Sequence, residues 1–330
     1  MNRPLEVYHE EDISPAPLEG AGVAVIGYGS QGRAQALNLR DSGVAVTVAL
    51  RPGSPSRARA AEDGFTPAES AAAVAEASFV AVLVPDEVQG ELVAQEVTPY
   101  VKPGAVVIFA HGGPVHFGEV APPEGVDVAL VAPMGPGRLL REYYVAGHGL
   151  NAKVAVAQDA TGRAWARSLA YGRALGCGRA GIVATTFAEE AKLDLFSEQA
   201  VLCGGVPALA EAAFETLVDA GYPPALAYIE CVREIKYVAD LMYEHGLDGM
   251  RRRISSTALY GGATRGAKIV GPEVRRALRD VLAAVEDGSF VAEMRKKFGG
   301  REEFLAAVRN DRLEAARDEF ERVIRRAARE

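Results

Sequence analysis

The sequence predicts an α/β protein: a doubly wound parallel sheet over residues 1–185, followed by an all-helical domain over residues 186–330. Three observations predict it. Between about residues 22 and 185, short apolar, β-rich runs alternate with alanine-rich helical stretches, the rhythm of β–α–β units whose strands are covered on both faces. The first run leads directly into Gly27-Tyr28-Gly29-Ser30-Gln31-Gly32. After residue 186 the segments are long and helical, punctuated by Gly204-Gly205, Gly221-Tyr222-Pro223 and Gly261-Gly262, with no extended β run.

The strands are expected at 23–27, 44–50, 79–84, 105–110, 126–132 and 153–157, each a continuous apolar run bounded by Gly, Pro or polar residues. Helical stretches such as 33–41 and 68–77 lie between them. In the second half, helices are expected over 187–203, 207–220, 224–244, 272–286 and 302–329.

With 330 residues, 49% hydrophobic and 24% charged, the chain has room for two domains and an ordinary globular balance. A net charge of -8 argues against generic binding to nucleic acid or to an anionic membrane. Arg251-Arg252-Arg253 and Arg275-Arg276 are too short to reverse that, and read as solvated helix faces or a substrate-side patch. The N-terminus is acidic and lacks the apolar core of a signal peptide. No stretch is expected to reach the ~18–20 apolar residues of a membrane span. Cys177, Cys203 and Cys231 are odd in number and widely spaced, which fits neither a disulfide framework nor a zinc site. They are expected to pack as small hydrophobes, and the cytoplasm is the expected compartment.

The glycine motif has the spacing of a dinucleotide site in the strand–turn–helix context that it needs. Gly27 permits the tight turn, Gly29 lets backbone approach a pyrophosphate, and Gly32 lets helix and strand pack closely. The helix that follows supplies amide donors for phosphate. Where an NAD site would place an acidic residue at the end of the second strand, this chain has Arg51, followed by Ser54 and Ser56. A guanidinium with nearby hydroxyls suits a 2′-phosphate, hence NADPH; the bland reading is a serine-rich surface loop.

Two carboxylate pairs lie in largely apolar surroundings: Asp194/Glu198 in Leu193-Asp194-Leu195-Phe196-Ser197-Glu198, and Glu230/Glu234 in Ile229-Glu230-Cys231-Val232-Arg233-Glu234. Residues four apart share a helix face, where like charges are mildly destabilising. An exposed helix face explains any single pair. Two pairs with apolar flanks point instead to a cation between them, and oxygen-only donors favour magnesium or manganese over zinc. Two such ions would polarise a substrate oxygen and stabilise developing alkoxide charge.

The ordered motifs resemble the short-form, class I ketol-acid reductoisomerases along nearly the whole chain. They are the glycine motif; Arg51 with Ser54 and Ser56; Pro85-Asp86-Glu87-Val88-Gln89; Ala110-His111-Gly112; Asp194-Leu195-Phe196-Ser197-Glu198-Gln199-Ala200-Val201-Leu202-Cys203-Gly204-Gly205; Phe214-Glu215-Thr216-Leu217-Val218; Glu230-Cys231 with Glu234; and Ile254-Ser255. The resemblance implies a Rossmann domain followed by a knotted helical domain. It also implies a homodimer whose active sites draw on both chains, with further association of dimers left open. NADPH would be bound by Gly27, Tyr28, Gly29, Ser30, Gln31, Gly32, Arg51, Ser54, Ser56, Asp86, Gln89 and Gly137. Two magnesium ions would be held by Asp194, Glu198, Glu230 and Glu234, and Ser255 would meet the substrate carboxylate. His111, Glu198 and Glu230 would be catalytic. The implied reaction migrates an alkyl group within a 2-aceto-2-hydroxy acid and reduces the resulting keto acid.

The resemblance breaks at several positions. The family lysine is Met134, in Ala132-Pro133-Met134-Gly135-Pro136-Gly137, and a family glutamate is Leu259. Ala184, Lys192, Leu193 and Gly113-Pro114 also depart from the family pattern. A thioether can neither stabilise an oxyanion nor deliver a proton. With all four metal carboxylates retained, the reading favoured is a reductoisomerase relative acting on a non-standard ketol or keto substrate. The alternatives are an ordinary acetohydroxy-acid reductoisomerase of branched-chain amino acid synthesis and a non-enzymatic NADPH-binding regulator or scaffold. The expected partner is a small-molecule substrate, with no nucleic acid and no membrane.

Overall fold

A computed structural model describes residues 4–327. The chain divides into two compact units, Met1–Leu193 and Asp194–Glu330, a division that falls inside the helix Phe187–Ser197.

Among the described residues of the first unit, eight strands form one sheet: β1 (Val7–Tyr8), β2 (Gly22–Ile26), β3 (Ala45–Ala49), β4 (Phe79–Val82), β5 (Val106–Phe109), β6 (Asp127–Pro133), β7 (Ala152–Gln158) and β8 (Ile182–Ala184). Their order is β1-β8-β7-β6-β5-β4-β2-β3. Alternate residues of each run feed opposite faces of the sheet. Val23, Val25, Phe79, Ala81, Val106 and Ile108 join one core, whereas Ala24, Ile26, Val80, Val82, Val107 and Phe109 join the other. Two covered faces are why these strands read as continuous apolar runs rather than alternating ones.

The sheet is mixed rather than wholly parallel. β3, β2, β4, β5 and β6 are parallel, but β7 runs antiparallel to β6, and β1 runs antiparallel to β8. An apolar run carries no sign of its direction when both faces are buried, so the reversal at β7 left no trace in the pattern. β1 and β8, of 2 and 3 residues, are too short to show a period.

A buried ion pair fastens the lower edge of this sheet. Asp127, fully buried, accepts from Arg167 Nη1 at 3.1 Å and from the backbone N–H and hydroxyl of Thr161 at 3.0 and 2.8 Å. The same guanidinium donates to the Gly104 and Ser78 carbonyls and lies 4.7 Å over the Phe79 ring. It thereby binds the starts of β4, β5 and β6 to the helix Ala164–Ala174.

The second unit is helical, as its punctuation implied. Its helices are Gly205–Asp219, Pro224–Tyr228, Ile235–Arg251, Ser256–Ile269, Pro272–Glu286, Ser289–Lys297, Arg301–Ala307 and Asp311–Ala327. The expected 302–329 helix is thus two helices, and residues 328–329 lie outside the described residues. The expected 187–203 and 224–244 helices each contain a π-helical turn, Glu198–Leu202 and Ile229–Arg233. Gly246, at φ +68°, breaks the continuation of the second. Phe214, Ala227, Tyr228 and Ala316 make a small core of their own.

Two expectations need correction. Cys177 is buried, but Cys203 is exposed and Cys231 only half-buried, so the three do not all pack as hydrophobes. The run Phe187–Asp219, of 33 residues, is by length and composition long and apolar enough to cross a membrane, with a mean hydropathy of 1.5 over an 18-residue stretch of it. Charged residues recur along it, Glu211 and Glu215 among them, so no stretch of its sequence is unbrokenly apolar.

Removing one partner of a buried ion pair strands the other charge. Asp127→Ala is therefore expected to cost about 3–5 kcal/mol of stability. A double replacement of Asp127 and Arg167 by apolar residues should cost less, as read from denaturation midpoints followed by circular dichroism.

Candidate functional site

The glycine turn after β2 divides its demands among three residues. Gly27 sits at φ +97°, and a Cβ there would lie 2.5 Å from the Leu83 carbonyl oxygen. A Cβ on Gly32 would lie 2.3 Å from the Gly27 carbonyl oxygen. The protein itself therefore requires those two glycines. A Cβ on Gly29 would meet nothing within 4 Å, so that position faces open space, where a ligand can approach the backbone. Beside it lies a cleft of about 570 Å³ lined by Gly27, Gly29, Arg51, Ser54, Ser56 and Val84, among others. It opens at the carboxyl ends of β3, β2 and β4, the switch point at which doubly wound sheets bind ligands. A dinucleotide fits this space and its donors.

Arg51 is exposed at the cleft, and its carbonyl accepts from Ser54 N at 3.2 Å. The neighbouring Arg57, which the sequence reading passed over, is committed to structure. It donates to the carbonyls of Leu50 at 2.6 Å and Pro67 at 2.7 Å, and so holds the loop that presents Arg51.

Several expected cofactor residues have side chains engaged elsewhere. The Tyr28 hydroxyl donates to Asp63 at 2.8 Å, and Asp63 also takes the Arg33 guanidinium at 2.6 Å. Burial and that carboxylate push the Tyr28 phenol well above its ordinary pKa, while Arg33 holds Asp63 below the usual carboxylate range. Gln31 donates to the Gly135 carbonyl at 2.8 Å, and the Ser30 hydroxyl accepts from Gly137 N at 3.1 Å. A buried relay continues inward, from Gln35 Nε2 to Gln31 at 3.1 Å and from the Tyr171 hydroxyl to Gln35 at 2.8 Å. These groups tie the loop after β6 to the helix Ser30–Asp41.

Asp86, Gln89 and His111 come together. His111 Nδ1 lies 2.9 Å from Asp86 Oδ2, and Gln89 Nε2 donates to Asp86 Oδ1 at 2.9 Å and to the Val84 carbonyl at 2.9 Å. A carboxylate on Nδ1 orients the imidazole. The buried Gln89 Oε1 has no hydrogen-bond partner among the described residues, leaving a spare acceptor beside the cleft-lining Val88.

The loop after β5 is held by a residue that sequence reading missed. Glu190, 2% exposed, accepts from Gly112 N at 2.6 Å, and Lys153 Nζ lies 3.8 Å from its other oxygen. In Phe187-Ala188-Glu189-Glu190 it looked like ordinary first-turn acid; the available signal was its spacing of four before Asp194. Lys153 was visible as a charge opening an apolar run. A Cβ on Gly113 would lie 2.6 Å from His111 Cε1, so the departure at Gly113 makes room for the imidazole.

In the second unit, Glu198, Glu230 and Glu234 are exposed and Asp194 is half-buried. Glu198 and Glu230 lie within the two π-helical turns, a local geometry that recurs at functional positions. Among the described residues, no three of these four carboxylates converge on one point. Ser255 accepts from Ala258 N at 3.1 Å and caps the helix Ser256–Ile269, which carries the half-exposed Leu259. Met134 is 52% exposed just beyond β6.

Residues 17–181 match the family described as "Acetohydroxy acid isomeroreductase, NADPH-binding domain", and residues 187–329 match "Ketol-acid reductoisomerase, C-terminal domain". The chain belongs to the ketol-acid reductoisomerase family. It is accordingly an NAD(P)-dependent oxidoreductase. A solved NADH-preferring ketol-acid reductoisomerase from an uncultured archean is 39% identical, with a TM-score of 0.91 over 96% of this chain and 98% of that one. More distant structures share the fold alone. A semialdehyde dehydrogenase NAD-binding protein from Cupriavidus necator is 16% identical, with a TM-score of 0.56 over 79% of this chain and 99% of its own. A pyrroline-5-carboxylate reductase from Coxiella burnetii is 15% identical, with a TM-score of 0.51 over 81% of this chain and 96% of its own.

Adding a methyl at residue 113 must displace the imidazole that Asp86 holds. Gly113→Ala is expected to lower kcat by about 10²-fold, the effect of a displacement near 1 Å. Unchanged NADPH affinity, measured by fluorescence titration, would locate the damage at His111.

Proposed function

We propose that this chain is an NADPH- and magnesium-dependent reductoisomerase-type enzyme whose substrate is a ketol or keto acid other than the usual acetohydroxy acids. The observation that carries this reading is Met134, a half-exposed thioether at the carboxyl end of β6 where the family resemblance calls for a lysine. A cation there would attract a polar oxygen; a thioether offers an apolar wall and favours an apolar substituent.

Family membership alone leaves the coenzyme open, since one relative is described as NADH-preferring. Arg51 with the Ser54 and Ser56 hydroxyls at the cleft favours a 2′-phosphate. The four carboxylates Asp194, Glu198, Glu230 and Glu234 offer the hard oxygen donors that magnesium takes. Because no three of them converge within one chain, we assign the metal site to two copies, each giving one pair. The exposed Leu202, Leu209, Tyr237 and Leu259 in the same unit fit a covered homodimer surface. On this reading the apolar Phe187–Asp219 run is an interface rather than a membrane span, and the three free cysteines fit the cytoplasm.

When bound, magnesium polarises the adjacent substrate oxygens and NADPH supplies the hydride. Glu198 and Glu230 hold charge next to those oxygens. His111, oriented by Asp86 at Nδ1, is the residue we assign to moving a proton at the substrate. Ser255 offers its hydroxyl to the substrate carboxylate.

NADPH oxidation should be screened with 2-aceto-2-hydroxy acids, their isomerised keto acids and other ketols, with and without magnesium. Turnover of a non-standard ketol or keto acid, with slow turnover of acetohydroxy acids, is expected. If the wild type already turns over acetohydroxy acids rapidly and Met134→Lys leaves that rate unchanged, the altered-substrate reading is wrong. In the same assay, Arg51→Glu should weaken NADPH by about 10- to 100-fold, the worth of a lost charge-assisted hydrogen bond, while NADH changes little.

A further inference from the structure

The register of β6 against β7 puts a different cation near Met134. Ala132 pairs with Lys153 and Pro133 with Ala152. Met134 N donates to the Asn151 carbonyl at 2.8 Å, which extends the ladder by one further pair. Side chains alternate faces along a strand, so Met134 shares a face with Ala132, and Lys153 shares it as the partner of Ala132. Lys153 and Met134 are therefore diagonal neighbours, a separation that long side chains bridge. The face is the one whose core contains Leu130, Ala132, Ala155 and Phe187.

Lysine is rarely buried without a partner, and the Lys153 side chain is only 20% exposed. Its partner is Glu190, whose side chain is 3% exposed. At 3.8 Å the two attract as charges without a direct hydrogen bond, so the ammonium protons are not consumed by the carboxylate. Glu190 is itself anchored to Gly112, next to His111. The ammonium is thus placed at the carboxyl end of the sheet, with its donors available.

We infer that Lys153 supplies the cationic hydrogen-bond donor to the substrate's reacting oxygen, from β7 instead of β6, with Glu190 as its positioning residue. This rests on the reductoisomerase reading above. The ammonium keeps its proton, and no bond to Lys153 forms or breaks. Its contribution is charge and a hydrogen bond that strengthen as the oxygen becomes negative. Approach from β7 re-aims the cation, which agrees with a substrate of different shape.

The variants are Lys153→Met, Lys153→Arg, the swap Lys153→Met with Met134→Lys, and Lys153→Met with Glu190→Gln. Lys153→Met should lower kcat by about 10²- to 10³-fold, the loss typical of one preorganised donor. NADPH affinity should stay within a few-fold. Lys153→Arg should keep part of the rate, and the swap should recover at least about tenfold of it. A second readout is calorimetric binding of a 2-keto acid to the NADP-loaded protein, which Lys153→Met should weaken at least about tenfold. Lys153→Met with near wild-type kcat and binding would falsify the assignment. So would recovery of rate in the Lys153→Met, Glu190→Gln double variant, because the lysine would then serve only to neutralise Glu190. A wild type that oxidises no NADPH with any ketol or keto acid counts against the proposed function instead. The binding comparison still decides on Lys153, and a wild type that binds no 2-keto acid overturns both.

Discussion

A carboxylate removed from water must be matched by donors, and Glu190 imposes that requirement on the upper edge of the first unit. Its two oxygens take the Gly112 N–H and the charge of Lys153. Gly112 has no freedom to carry a side chain, because a Cβ there would lie 2.7 Å from the Phe187 carbonyl and 2.9 Å from Glu190 itself. The next residue is constrained in turn by His111, and His111 by Asp86. One buried charge therefore fixes the path of the loop after β5, the identity of two glycines and the attitude of the imidazole. Each of these would relax if the carboxylate became neutral or moved.

The same edge shows why some of the site was legible in the sequence and some was not. Gly27, Gly29 and Gly32 were readable because their roles depend on local backbone, and the turn obeys the expected division of labour. Arg51, Ser54 and Ser56 were readable for the same reason, lying within one loop at one strand end. Glu190 and Lys153 were not. Their meaning comes from a contact between a helix and a strand far apart in the chain, and neither residue type is unusual where it stands.

Local patterns also conceal structural duties. Tyr28, Ser30, Gln31 and Gly137 belong to the glycine motif and its surroundings, yet their side chains and close contacts build the protein. Gly137 is forced by Ser30, whose carbonyl oxygen would lie 2.0 Å from a Cβ. Strand direction escaped for a different reason. Burial on both faces erases polarity from the sequence, so the reversal at β7 could be found only from the register. That reversal is not incidental to the chemistry. In a parallel pair, the start of β7 would lie at the opposite end of the sheet from the end of β6, and Lys153 could not stand diagonal to Met134.

The four carboxylates proposed to hold magnesium differ in kind from this loop. Nothing buries Glu198, Glu230 or Glu234 in a single chain, and nothing within that chain brings three of the four to one point. Their order comes instead from the backbone, since Glu198 opens one π-helical turn and Glu230 lies in the other. A π turn carries an extra residue relative to an α turn, so side chains across it no longer keep the simple stacking that i and i+4 imply. The i, i+4 spacing on an α-helix is thus only an approximation for Glu230 and Glu234, which span their turn, whereas Asp194 lies in the α-helix ahead of the turn that Glu198 opens. A wider spread suits two carboxylates that bind from one side of a cation while leaving the other side for donors of another helix. On the proposed homodimer reading, the exposed acids stand among exposed leucines because a second surface would cover both together, and the apolar residues would then exclude the water that otherwise screens the charges.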